Sequence, residues 1–246
     1  MSAAAKTSTK KPNPALVIAG RELGAYFSGP IAYIVTGLFL LISGILFFST
    51  FFLENRAELR GFFSTLPLLL SFFVPALTMR LFAEERRSGS IETLLTLPVT
   101  ELDVVWGKFL AATVSSALMV APTLIYVLTV VAFGSPDAGP LVGGYIGSIF
   151  LCAAFSAIGL FASSVTKNQI IAFFVAFAIS IALTMMDTFL IFLPGSAVSF
   201  LAYFSANAHF SSISRGIIDT RDLLYFVSVT LIFFALTVRI EQNERR

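Results

Sequence analysis

Charge is scarce in this sequence. Only 12% of the 246 residues are Asp, Glu, Lys or Arg, about half the share found in ordinary soluble domains, and a water-facing surface cannot be assembled from so few. A single cysteine, Cys152, excludes an internal disulfide. A single histidine, His209, with no cysteine or second histidine beside it, argues against a metal centre. The net charge of +2 is too small to suggest a nucleic-acid-binding surface. A nucleotide-binding Gly-x-x-x-x-Gly-Lys-Ser/Thr loop is also lacking. Gly107-Lys108 is followed by Phe109, and Leu102 stands where the first glycine belongs.

What the chain has instead is apolar length: 57% hydrophobic residues, 27 phenylalanines and a mean hydropathy of +0.90. These residues fall in long blocks, which predicts an all-α, polytopic membrane protein with six transmembrane helices. Ile31–Leu53 carries no charge and, at about 34 Å as a helix, covers a hydrocarbon core of about 30 Å. The second span runs from about Phe62 to Phe82 and contains Pro67 and Pro75, which predict kinks and mark a candidate hinge. Further spans cover about Phe109–Phe133, Leu141–Val165, Asn168–Asp187 and Leu223–Val238. Only Thr166-Lys167 separates the fourth from the fifth, so those two are antiparallel neighbours.

Six spans place both termini on one side. With that side cytoplasmic, it holds every Lys and Arg except Arg56, Arg60, Arg215 and Arg221, the asymmetry that the positive-inside rule demands. Residues 1–13 read as a disordered tail, 14–240 as one membrane domain and 241–246 as a second cytoplasmic tail. Leu16, Ala19, Leu23, Tyr26 and Phe27 recur at helical spacing opposite Arg21 and Glu22, predicting an amphipathic helix on the inner membrane surface. Thr188–Ser205 is apolar but broken by Pro194-Gly195, and is expected to form a helical hairpin dipping into the outer leaflet.

Ala83–Lys108 is the largest polar stretch and joins the second and third spans on the cytoplasmic side. Ser90 can cap a short helix whose apolar positions are Ile91, Leu94 and Leu95, with Pro98 ending it. Thr100 and Asp103 make a capping box for the helix that follows. A four-charge cluster, Glu84-Glu85-Arg86-Arg87, a hinge at Gly89 and an amphipathic turn together read as a docking surface. Gly139, Gly143 and Gly147 are expected to serve helix packing within the subunit. Asp187 closes a long apolar run, which makes it a candidate pathway residue.

The run Glu84-Glu85-Arg86-Arg87-Ser88-Gly89-Ser90-Ile91-Glu92-Thr93-Leu94-Leu95-Thr96-Leu97-Pro98, followed by Gly107-Lys108, resembles the signature loop of exporter-type (type-2) ABC permeases. Arg21-Glu22-Leu23 through Tyr33 is similar to that family's connecting helix, and His209 to Asp222 resembles its gliding-motility subgroup. The resemblance implies a coupling helix at Glu84, Glu85, Arg86, Arg87, Gly89, Glu92, Leu94, Leu95 and Pro98. It also implies a permease without its own nucleotide site, in a bacterial inner membrane. The expected partners are a dimer of cytoplasmic ATPase subunits that bind ATP and Mg, a second permease subunit, alike or different, and the lipid bilayer. An ion-coupled secondary transporter or an intramembrane lipid-modifying enzyme are the alternatives. The former needs midplane charges or repeated broken helices and the latter converging catalytic groups, and the apolar blocks supply neither.

Overall fold

The computed structural model describes residues 13–54, 58–89, 100–189, 203–217 and 219–244, and all regular structure among them is helical. In chain order the helices are α1 (Pro14–Ser28), α2 (Pro30–Glu54), α3 (Arg60–Thr78), α4 (Ala83–Ser88), α5 (Glu101–Val120), α6 (Leu124–Phe133), α7 (Ala138–Val165), α8 (Gln169–Phe189), α9 (Ala206–Ser214) and α10 (Thr220–Glu244). Six stretches are long and apolar enough to span a membrane: α2, α3 with α4, α5 with α6, α7, α8 and α10. The segments 90–99 and 190–202, expected as the coupling helix and the outer hairpin, lie outside the described residues.

Burial sorts the spans into centre and periphery. In α7, 72% of the apolar window is buried, and in α3 61%, against 22% in α2 and α8 and 17% in α10. Small residues explain the position of α7. A Cβ at Gly144 would collide with the Phe63 ring of α3, and one at Gly159 with Thr78. Gly143 and Gly147 seat Ile213 and Phe210 of α9 in the same way, so the predicted glycine stripe serves packing within the subunit. Several buried hydroxyls turn back onto their own helices: Ser116 donates to the Ala112 carbonyl at 2.8 Å and Ser148 to Tyr145 at 2.7 Å. Where no water enters, that arrangement removes the penalty of an unpaired polar group.

The third span departs from the single run expected over 109–133. A 3₁₀ turn, Ala121–Thr123, separates α5 from α6. Pro122 has no N–H to give the preceding turn, and the Tyr145 hydroxyl donates to the carbonyl of buried Thr123 at 2.9 Å. Beyond the break, Tyr126 stacks on Phe47 of α2 at 4.7 Å and meets Phe62 of α3 edge-on at 5.4 Å. These rings join three spans.

Two terminal elements are held by contacts that the sequence does not show. α1, read from the sequence as an amphipathic helix on the inner membrane surface, packs along α5, with Ala15, Ile18, Ala19 and Tyr26 buried and Leu16 and Phe27 left uncovered. Gly107 makes the docking possible, because a Cβ there would lie 2.7 Å from the Ala15 carbonyl oxygen. The last helix continues to Glu244. Glu241 is therefore a buried helical residue and not part of a polar tail.

Candidate functional site

One end of the bundle, the terminal face, carries α1, α4 and the end of α10 and is built around an interruption in the second span. α3 passes through Pro67 and Pro75 and ends at Thr78. After a four-residue gap the chain resumes as α4. Leu81 N–H bonds to the Thr78 carbonyl at 3.1 Å, and Ser163 of α7 is inserted into the gap. Its Oγ accepts the N–H groups of Phe82 and Ala83 at 2.9 and 3.0 Å and donates to the Met79 carbonyl at 3.0 Å. Gly159, one turn before Ser163, brings α7 close enough for this. Tyr26 of α1 donates to the Leu77 carbonyl at 2.7 Å, a group that Leu81 N–H would otherwise hold in a regular helix. Burial pushes the Tyr26 phenol above its usual range, so it remains a neutral donor.

Lys108 is the centre of the charge arrangement. It is 0% exposed, and its Nζ donates to the Leu81 carbonyl at 2.8 Å, Glu85 Oε1 at 2.8 Å and Glu22 Oε1 at 3.2 Å. An ammonium has three N–H groups, so these partners satisfy it. Arg21 Nη2 reaches Glu22 at 2.9 Å and Glu85 at 3.5 Å. Burial raises the Glu22 carboxyl pKa, but the charge of Lys108 and the hydrogen bonds from Arg21 and Lys108 outweigh it and hold the group below its ordinary value. Glu85 Oε2 is buried and has no hydrogen-bond partner among the described residues.

A second buried pair ties in the other end of the chain. Arg86 Nη2 lies 2.6 Å from Glu241 Oε1 of α10, with side-chain exposures of 6% and 7%. α4 has acidic Glu84 and Glu85 at its start, basic Arg86 and Arg87 at its end, and Gly89 in the left-handed region (φ 73°) after it. That is the charge order and the C-terminal residue a short helix favours. At the other edge of 90–99, α5 starts with the expected capping box: Thr100 Oγ1 accepts Asp103 N–H at 3.2 Å, and Asp103 Oδ2 accepts Thr100 N–H at 3.2 Å.

The predicted site residues therefore separate. Glu85 and Arg86 are drawn into the bundle, while Glu84, Arg87 and Gly89 stay at the surface. Glu92, Leu94, Leu95 and Pro98 lie outside the described residues. Pro67 and Pro75 are buried within α3. Asp187 accepts a hydrogen bond from Asn207 Nδ2 at 2.7 Å, which fastens α8 to α9 at the far end. Sequence reasoning missed Lys108, Glu22, Glu241 and Ser163. Lys108 had a signal, since it is a lone charge between Gly107 and Phe109 in an otherwise apolar stretch. Ser163, one of several serines in apolar helices, had none.

A family model described as ABC-2 family transporter protein matches residues 16–240. The chain belongs to the ABC-2 transporter family. No curated protein matches it significantly. Membership makes it a multi-pass permease subunit of an ABC transporter, and the match extends from α1 into α10. The terminal-face lattice of this ABC-2 permease links α1, α3, α4, α5, α7 and α10 around the two ends of segment 90–99.

Proposed function

We propose that this permease is driven by a separate dimer of ATP-binding subunits that engages the Glu84–Pro98 segment from the cytoplasm, where both termini also lie. ATP and Mg belong to those subunits. The observation that carries the reading is Lys108. A fully buried ammonium bonds at once to the N-terminal helix, to the end of the second span and to α4, so a push on α4 cannot be absorbed locally. Glu85 and Arg86 brace this junction, and Glu84 and Arg87 at the surface face the ATPase. Pro67 and Pro75 mark where α3 yields. A ligand-driven step shifts a two-state equilibrium only through unequal affinity for the two states, so the segment must fit the open and closed ATPase dimers differently. A second permease subunit completes the pathway, and the likeness of the 209–222 stretch to gliding-motility permeases favours a different chain in that role. The bacterial inner membrane is the expected location and export or mechanical work the output.

The test combines topology with co-purification. A Ser88→Cys variant should react with membrane-impermeant maleimide only after the cells are opened; Cys152 is buried and contributes no background. Gentle extraction should bring down an ATP-binding chain with the wild type and much less of it with the double variant Glu84→Lys, Arg87→Glu. Labelling of the introduced thiol from outside intact cells overturns the proposal.

A further inference from the structure

A groove of about 290 Å³ opens where α1 turns into α2, walled by Tyr26, Tyr33, Thr36, Leu40, Leu118 and Met119. Its mouth faces the lipid side of the bundle: Tyr33 is 62% exposed and Leu118 46%. Two features set it apart from an ordinary crevice between helices. Ser115 lines the wall, is 6% exposed and leaves its Oγ buried with no hydrogen-bond partner, whereas neighbouring Ser116 donates to its own helix. Arg80 stands one turn beyond Leu77, another wall residue, with its guanidinium 4.5 Å above the Tyr26 ring and Nη2 3.5 Å from the Ala25 carbonyl. Among the described residues no carboxylate pairs with Arg80, although Arg21, Arg60, Arg86 and Lys108 each have one.

We propose that this groove holds the acyl chain of an anionic phospholipid from the surrounding bilayer, with the headgroup phosphate on Arg80. A guanidinium matches phosphate oxygens in a two-pronged geometry, and an uncompensated cation at the terminal end of a lipid-facing slot attracts anionic headgroups. The apolar wall accepts the chain, and the unmatched Ser115 hydroxyl donates to an ester carbonyl near its top. The lipid thereby wedges the α1–α2 corner against α3 and α5. This site is independent of the coupling reading, and its failure leaves that reading untouched.

The experiment uses the full chain in nanodiscs of equal parts phosphatidylglycerol and phosphatidylcholine, followed by mild detergent extraction and native mass spectrometry. Wild type should retain phosphatidylglycerol over phosphatidylcholine by about fivefold, the scale of one cation on an anionic headgroup. Arg80→Lys should keep most of that preference and Arg80→Gln should abolish it. A Cβ at Gly37, on the groove wall, meets nothing within 4 Å; Gly37→Leu should therefore fill the slot without disturbing the fold and reduce retention of both lipids. Unchanged lipid retention in Arg80→Gln and Gly37→Leu overturns the site. So does spontaneous disulfide dimerisation of Tyr33→Cys, which would show a second copy of the chain covering the groove.

Discussion

The two ends of the bundle are fastened by different kinds of bond. At the terminal face the ties reach across the chain: Lys108 joins Glu22, 86 residues away, and Arg86 joins Glu241, 155 residues away. At the far face the ties to acidic side chains stay local, and the long-range contacts are between aromatic rings. His209 bonds Asp222 at 2.6 Å, 13 residues on, and Asn207 bonds Asp187, 20 residues back. The long-range ion pairs tie four helices together, α1, α4, α5 and α10, whereas the local pairs hold a short helix to its immediate neighbours.

The most direct way to break the comparison is to remove its central cation. Lys108→Met leaves the half-buried Glu22 and Glu85 without their ammonium and with only Arg21 at the surface to pair them, and losing the buried partner of such a charge arrangement costs about 3–5 kcal/mol. Thermal unfolding in nanodiscs should show a larger drop for Lys108→Met than for any other single substitution at either end. A loss no greater than that of a far-face variant would erase the distinction between the ends. Next in size is the Arg86–Glu241 pair. Arg86→Met or Glu241→Leu alone should destabilise by about 2–3 kcal/mol, and the two together should recover much of it, because an apolar pair no longer leaves an isolated charge. Additive losses in that double-mutant cycle would mean the 2.6 Å contact carries no coupling between α4 and α10.

The sequence made one half of this picture legible and hid the other for identifiable reasons. Spans could be read from apolar length, the α5 start from Thr100 and Asp103, and the α7 packing role from Gly139, Gly143 and Gly147, because each depends on residues within a few positions of one another. The lattice depends on residues brought together by the fold. Arg21 and Glu22 lie opposite the apolar stripe of α1 and read as a solvated face, yet Glu22 turns toward Lys108, on a helix far along the chain. Glu241 sits in a polar terminal stretch, and only the continuation of α10 past Arg239 carries it to Arg86. The interruption at Ala121–Thr123 was marked by Pro122, but hydropathy alone runs straight across it.

The far face offers a smaller test. His209 Nδ1 meets Asp222 Oδ1 and Nε2 meets the Tyr203 carbonyl at 3.1 Å, with the ring stacked on Tyr225 at 4.3 Å. Both partners are oxygens, so two protons must be shared among the three groups for both bonds to form. His209→Gln can preserve only part of this arrangement and should cost about 1 kcal/mol, with protection of α9 amides in hydrogen exchange falling while that of α1 and α4 stays unchanged. A loss of protection that spreads to α1 would show the two ends to be one cooperative unit and would remove the comparison.

The finest distinction is one of pH. The Glu22 carboxyl is held below its ordinary value of 4.5 in the folded chain, so unfolding lets it bind a proton more readily. Its contribution is therefore fully present above that ordinary value and is lost only as pH falls through the lowered folded value. Between about pH 5 and pH 8 the α1 tether should be insensitive to acid. Hydrogen exchange of α1 amides as a function of pH, after correction for the intrinsic rate, reads this directly. In Glu22→Gln the acid-induced loosening of α1 should disappear along with the carboxylate. If α1 instead loosens near neutral pH in the wild type, Glu22 is not the group that holds it, and the Lys108 junction must be anchored through Glu85 and the Leu81 carbonyl.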